Sequence, residues 1–116
     1  MQIRHPVFSD TYHYKLLKLI EANPMIQQRE MAREMGVSLG KANFVLQALV
    51  QKGLVKMDNF RRNDNKLAYS YLLTPSGIDE KARLTYRFLK YKIVEYETIR
   101  REIEELQREA EKAPQP

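Results

Sequence analysis

The chain has 116 residues, 43% of them hydrophobic and 30% charged, the composition of a globular domain with room for an appendage rather than of a disordered polymer. It has no cysteine and only two histidines, His5 and His13, which excludes disulfides, thiol nucleophiles, Fe–S clusters and Cys- or His-rich metal sites; no cofactor is expected. The net charge is +5, no apolar run approaches about 18 residues, and the N-terminal MQIRHPVFSD lacks an apolar signal core, so we expect no membrane span and a cytoplasmic location.

Ser9 and Asp10 are cap-type residues ahead of a helical stripe of Tyr12, Leu16, Leu19 and Ile20, broadened by Leu17. Asn23-Pro24 stops the run, which predicts a first helix over about 10–22. Gln27 with Glu30 three residues later is a weak form of the capping box, Met31, Ala32 and Met35 give the second helix an apolar face, and Gly36 ends it. Ser38 is an N-cap for a third helix with Ala42, Val45, Leu46 and Leu49 inward and Gly53 just past its end. The period then changes to two. Leu54 to Phe60 and Leu67 to Leu73 read as strands, the second with Leu67, Tyr69, Tyr71 and Leu73 on one face and Ala68, Ser70 and Leu72 on the other. The polar stretch Arg61–Lys66 makes the tip of the hairpin. Thr74-Pro75 reads as an N-cap followed by proline in the first helical position. A last helix then continues to about Lys112, with Gly77 as its one glycine, until Pro114 and Pro116. At 1.5 Å per residue it would be about 55 Å long. The expected fold class is mainly α with a small β-hairpin (α+β): a winged helix-turn-helix domain over 1–74, a long C-terminal dimerisation helix over 75–112 and a disordered tail over 113–116.

Two short helices joined by a tight glycine turn suggest a helix-turn-helix. Ala32 is small where the helices must cross, Gly36 lies four residues on in the turn, Met31, Met35 and Val37 surround it, and Ala42 and Val45 return to the core. The recognition helix is then Leu39–Lys52. With Ala42, Leu46 and Leu49 inward, Gly40, Asn43, Phe44, Gln47 and Gln51 turn outward and Lys41 lies at the flank. Asn and Gln can pair bidentately with adenine in the major groove. Ser38 and Gly40 stand at the helix N-terminus, whose dipole favours phosphate. Phe44 is unusual on a solvated face: it touches a thymine methyl, or packs on the wing or on another chain. Arg61, Arg62, Asn63 and Lys66 at the wing tip suit phosphates or the minor groove, and Gln28 and Arg29 open the second helix within phosphate reach. Residues 1–74 hold 11 basic and six acidic side chains against nine and nine beyond, so the basic surplus lies with the helix-turn-helix and favours a polyanion.

In the last helix Ala82, Leu89, Tyr96, Ile103 and Ala110 are seven apart, with Ile78, Thr85, Lys92, Ile99 and Leu106 on the second seam. No other part of the chain is large enough to cover this stripe. A second copy is therefore expected to pair along Ile78, Ala82, Leu89, Ile93, Tyr96, Ile99, Ile103 and Leu106. Parallel and antiparallel pairing both remain open. The antiparallel one sets Lys81, Arg83, Arg87 and Lys90 against Glu102, Glu104, Glu105 and Glu109. A homodimer would present two recognition helices about one DNA turn, or about 34 Å, apart and so read a palindrome.

With these residues in view, VSLGKANFVLQALVQKGLVK (37–56), NKLAYSYLLTPSGI (65–78) and EKARLTYRFLK (80–90) closely resemble the MarR family of bacterial transcriptional regulators, in particular the branch associated with exopolysaccharide (EPS). The resemblance spans roughly residues 10–110 and implies a winged-helix homodimer on operator DNA that controls transcription, with polysaccharide genes as a target. It places the recognition helix on Ser38–Lys52 and the wing on Phe60–Leu67. It also implies a phenolic or lipophilic effector between the DNA-binding and dimerisation parts. One long C-terminal helix in place of the family's two leaves that small-molecule effector open, and Gln27 stands where the family's cap is Ser or Thr.

The expected function is a sequence-specific double-stranded DNA-binding regulator. The alternative is a winged-helix protein-interaction module without DNA binding, which Phe44 and the long helix would suit. RNA binding is weaker still, since neither an RNP-type aromatic sheet motif nor a GXXG loop is present. No Gly-rich phosphate loop, nucleophile elbow or HExxH occurs, so no enzyme is expected.

Overall fold

The computed structural model describes residues 8–115, with the side chains of Phe8 and Ser9 left aside. The expectations for residues 1–7, for a capping role of Ser9 and for Pro116 lie outside what it describes. The elements follow as α1 (Phe8–Ala22), α2 (Gln28–Met35), α3 (Leu39–Gln51), β1 (Val55–Arg61), β2 (Leu67–Leu73) and α4 (Pro75–Lys112). This is a mostly helical winged helix-turn-helix with a two-stranded hairpin and a long C-terminal helix. Packing divides the chain into two compact units, Val7–Thr85 and one containing Tyr86–Pro116, so the first unit takes in the opening turns of α4.

The core of the first unit comes from one face of each helix. Leu16, Leu17 and Ile20 of α1, Met31, Ala32 and Met35 of α2, and Ala42, Val45, Leu46 and Leu49 of α3 are buried, joined by Ile26, Val55, Tyr71 and Leu84. Tyr12 and Leu19, read as part of the α1 stripe, are only half-buried. The helix begins at Phe8 and not at residue 10, so Asp10 lies in its first turn, where a carboxylate complements the helix dipole.

The turns show why the chain breaks where it does. Gly36 is left-handed (φ 69°), and the N–H groups of Val37 and Gly36 donate to Ala32 O and Arg33 O, the paired bonds of a Schellman stop. Gly53 (φ 72°) repeats this, with Leu54 N–H to Leu49 O and Gly53 N–H to Val50 O. Gln27 is the N-cap of α2, but its side chain makes no capping hydrogen bond, so the capping box suggested by Gln27 and Glu30 does not form. A glutamine is one methylene longer than the residues whose side chains reach back to the helix N–H groups.

The antiparallel hairpin pairs Val55 with Leu73 through Arg61 with Leu67, one residue later at the tip than expected for β1. The loop closes with Asn65 N–H to Arg62 O, Arg62 N–H to Lys66 O and Lys66 N–H to Asp64 Oδ1, while Asn65 takes the left-handed conformation (φ 64°) that asparagine tolerates. Tyr71 N–H donates to Pro24 O and ties the α1–α2 turn to β2. The two-faced reading of β2 holds only in part: Tyr71 is buried, but Leu67 and Tyr69 on the same side are exposed, because the strand outruns the helices beneath it.

Thr74 clamps the hairpin to α4. Its Oγ1 donates to Gly53 O (2.5 Å) and accepts from Gly77 N–H (3.0 Å), and its own N–H donates to Leu54 O (3.0 Å). A Cβ on Gly77 would lie 2.0 Å from Leu54 O, so only glycine fits this approach. Further along the first unit, Leu84 is fully buried and Lys81 pairs with Glu21 at 2.7 Å.

In the second unit, Leu89, Ile93, Tyr96, Ile99, Ile103 and Leu106 of α4 are between 46% and 66% exposed. Ala113 N–H still donates to Ala110 O, and Pro114 and Gln115 lie outside the helix. No helix among the described residues is long and apolar enough to cross a membrane.

Candidate nucleic-acid interface

The interface is built on α3. Ser38 stands in an extended conformation before the helix, and its Oγ accepts the Lys41 N–H at 3.1 Å, so the cap expected from the sequence forms. Because Ala42, Val45, Leu46 and Leu49 face the core, the helix period carries Gly40, Asn43, Phe44 and Gln51 into the open; Lys41 is half-buried at the flank, and Gln47, expected outward with them, shares their side of the helix but is only half-exposed. Phe44 is 69% exposed, so the wing does not cover it. Lys41 leans across it: its Nζ lies 5.6 Å from the Phe44 ring centre and 5.4 Å from that of Tyr12 on α1, within cation–π range of both. Tyr12 is the residue the sequence reading missed here, since helical spacing placed it in the core stripe and gave no sign of a partner on α3.

Gly40 carries a second clue. A Cβ built there would meet nothing within 4 Å, so packing within this chain does not require glycine at that position. A helical glycine costs roughly 0.5–1 kcal/mol relative to alanine. The residue therefore weakens the helix without filling a packing role among the described residues.

At the wing, Arg61, Arg62, Asn63 and Lys66 are all exposed. Arg61 Nη1 donates to Asn65 O at 3.3 Å, and Arg62 Nη2 lies 3.8 Å from Asp64 Oδ2. These links are solvent-exposed and weak, so they orient the two guanidinium groups without neutralising them in a low dielectric. Asp64 was passed over in the sequence as a turn residue, and it is also the partner of Arg62. An open groove of about 960 Å³ separates the hairpin from the α1–α2 turn, and it brings Gln28 to the same concavity as Arg61, Arg62 and Asn63. Arg29 is exposed on α2. Among the described residues no cluster of His, Cys, Asp or Glu has the makings of a metal site.

A recognition-type helix with a capped, glycine-bearing N-terminus and a hairpin with a basic tip define a winged helix-turn-helix protein. Residues 9–56 match the family model described as winged helix-turn-helix DNA-binding. No curated protein matches the chain. Among solved structures it is similar to the PcaV transcriptional regulator from Streptomyces coelicolor in complex with its natural ligand (22% identity, 79% of this chain and 72% of that one, TM-score 0.55). It is likewise similar to the zinc-dependent MarR family regulator AdcR in its Zn(II)-bound state (18% identity, 95% and 81%, TM-score 0.54). A third is a mutant of S. aureus MepR bound to an oligodeoxyribonucleotide (15% identity, 90% and 79%, TM-score 0.57). At these identities the likeness is one of fold.

Proposed function

We propose that the protein is a MarR-type transcriptional regulator that binds double-stranded DNA in a sequence-specific way as a homodimer on a palindromic operator in the cytoplasm. The observation that carries this reading is the outer face of α3, where Asn43 and Phe44 are exposed and Gln47 is half-buried, behind an open N-terminus at Gly40. Asn43 and Gln47 read base edges, while Ser38, Gly40, Lys41, Gln28 and Arg29 meet the backbone. The wing residues Arg61, Arg62, Asn63 and Lys66 add phosphate or minor-groove contacts. The match of residues 9–56 and the DNA-bound MepR neighbour support this reading. The second copy pairs along Ile78, Ala82, Leu89, Ile93, Tyr96, Ile99, Ile103 and Leu106, a stripe that one chain leaves exposed. The resemblance to the EPS-associated branch supports exopolysaccharide genes as the target.

The exposure of Phe44 also favours a second reading, a winged-helix module that binds protein instead of DNA. Salt separates the two. Binding through about 6–10 phosphates weakens by about 10³–10⁵ between 50 and 200 mM salt. Fluorescence anisotropy of a labelled mixed-sequence duplex over that range should show a steep slope; no binding at 50 mM would overturn the DNA reading.

A further inference from the structure

Phe44 occupies the N-terminal half of α3, the part of a recognition helix that meets base edges, and it is exposed beside the exposed Asn43, with the half-buried Gln47 about one turn further on. Leaving a phenyl ring in water forgoes the gain of burying it, and none of the described residues covers the Phe44 ring. The ring is nevertheless held. Lys41, three residues earlier, places its ammonium over both Phe44 and Tyr12, which ties the ring to α1 and fixes a cation beside it. That pairing has a specific complement. A DNA major groove offers hydrogen-bond donors and acceptors on every base pair but only one apolar group, the C5-methyl of thymine. The phosphates beside it suit the lysine. At Gly40, one turn before Phe44, even an added Cβ would meet none of the described residues within 4 Å, so that end of α3 is open.

We propose that Phe44 is a specificity-determining residue that reads the C5-methyl group of a thymine, with Lys41 and Tyr12 as the positioning residues that brace its ring. The inference rests on the DNA-binding reading above and adds the identity of one base and the chemical group that identifies it. Uracil and thymine share every hydrogen-bonding group, so Asn43 and Gln47 cannot tell them apart and the methyl is isolated as a variable.

The test uses the full chain. A duplex that it binds is recovered from a random pool, and each thymine is replaced in turn by deoxyuridine. At one thymine per half-site the affinity should fall about fourfold, the worth of one buried methyl group. Phe44→Ala should bind the thymine and deoxyuridine duplexes equally, while Phe44→Leu, still apolar, should keep part of the difference. Lys41→Gln should weaken binding to both duplexes. If the unaltered protein is indifferent to deoxyuridine at every position, or if Phe44→Ala discriminates as well as the unaltered protein, the proposal is overturned and DNA binding stands. If no duplex is recovered at low salt, the DNA reading fails and the proposal fails with it.

Discussion

Gly40 and Gly77 both stand in the first turn of a helix, and they should respond to alanine in opposite ways. At Gly40 a Cβ meets nothing within 4 Å and the backbone is not left-handed, so Gly40→Ala should stabilise the protein by about 0.5–1 kcal/mol through helix propensity and a less flexible unfolded chain. For a unit of this size that is roughly 2–8 °C in Tm. The same methyl group would stand between the α3 N-terminus and a phosphate. Losing one charge-assisted hydrogen bond, worth about 1.5–3 kcal/mol, should weaken duplex binding by about 10- to 100-fold. Gly77→Ala should do the reverse to stability. Its Cβ would lie 2.0 Å from Leu54 O, at least 1 Å too close, and moving either partner loosens the three Thr74 hydrogen bonds, for a loss of about 2–4 kcal/mol. Urea denaturation followed by circular dichroism gives both stabilities, and anisotropy on a labelled duplex gives the affinity. A Gly40→Ala protein that is more stable and binds as tightly would refute a close approach at that position. A stabilising Gly77→Ala would refute the packing at the hairpin–α4 junction.

Asn43→Ala or Gln47→Ala should relax preference at one base pair by about 1–3 kcal/mol, and equal losses on all sequences would exclude direct readout by either residue. Arg61→Ala with Arg62→Ala should weaken binding to every duplex and reduce the salt slope by about 2; an unchanged slope would remove the wing from the phosphate backbone. Ile103→Glu with Leu106→Glu places two charges in the exposed stripe of α4 and should yield monomers in sedimentation, whereas an intact dimer would assign the interface elsewhere. Burial, then Lys52, lowers the His13 pKa below its usual 6.5, with Asp10 and Glu80 opposing. The unfolded chain therefore binds the proton first as pH drops, so stability should decline as pH falls below about 6.5, and His13→Gln should remove that part of the decline. A pH profile unaltered by His13→Gln would contradict the assignment.

The helices and hairpin were legible because their signals are local. Gly36 and Gly53 announce left-handed stops, Ser38 and Thr74 are capping residues, and the period changes from 3.6 to two after Gly53. The face of α3 follows from the same arithmetic, which is why Asn43 and Phe44 emerge where the spacing put them. What was not legible depends on distant partners. Nothing near Gly77 in the sequence reveals that a carbonyl 23 positions earlier occupies the space of its missing side chain. Leu84 looks like any other residue of the long helix until its burial places the first turns of α4 within the compact unit. Tyr12 fits a core stripe by spacing, and only the packing of α1 beside α3 turns it into a brace for Lys41. Gln27 and Glu30 show the converse, a local pattern that matches a motif while the side chain makes no capping bond.

In the proposed function the outer face of α3 lies in a duplex groove twice, once from each member of a two-fold pair. Selection of bound sites from a fully random duplex pool by the 116-residue chain is the sharpest check. The enriched motif should consist of inverted half-sites centred a whole number of helical turns apart, each containing a thymine beside an adenine contact. Recovery of unenriched sequence, or of a single half-site with no symmetry, would contradict it.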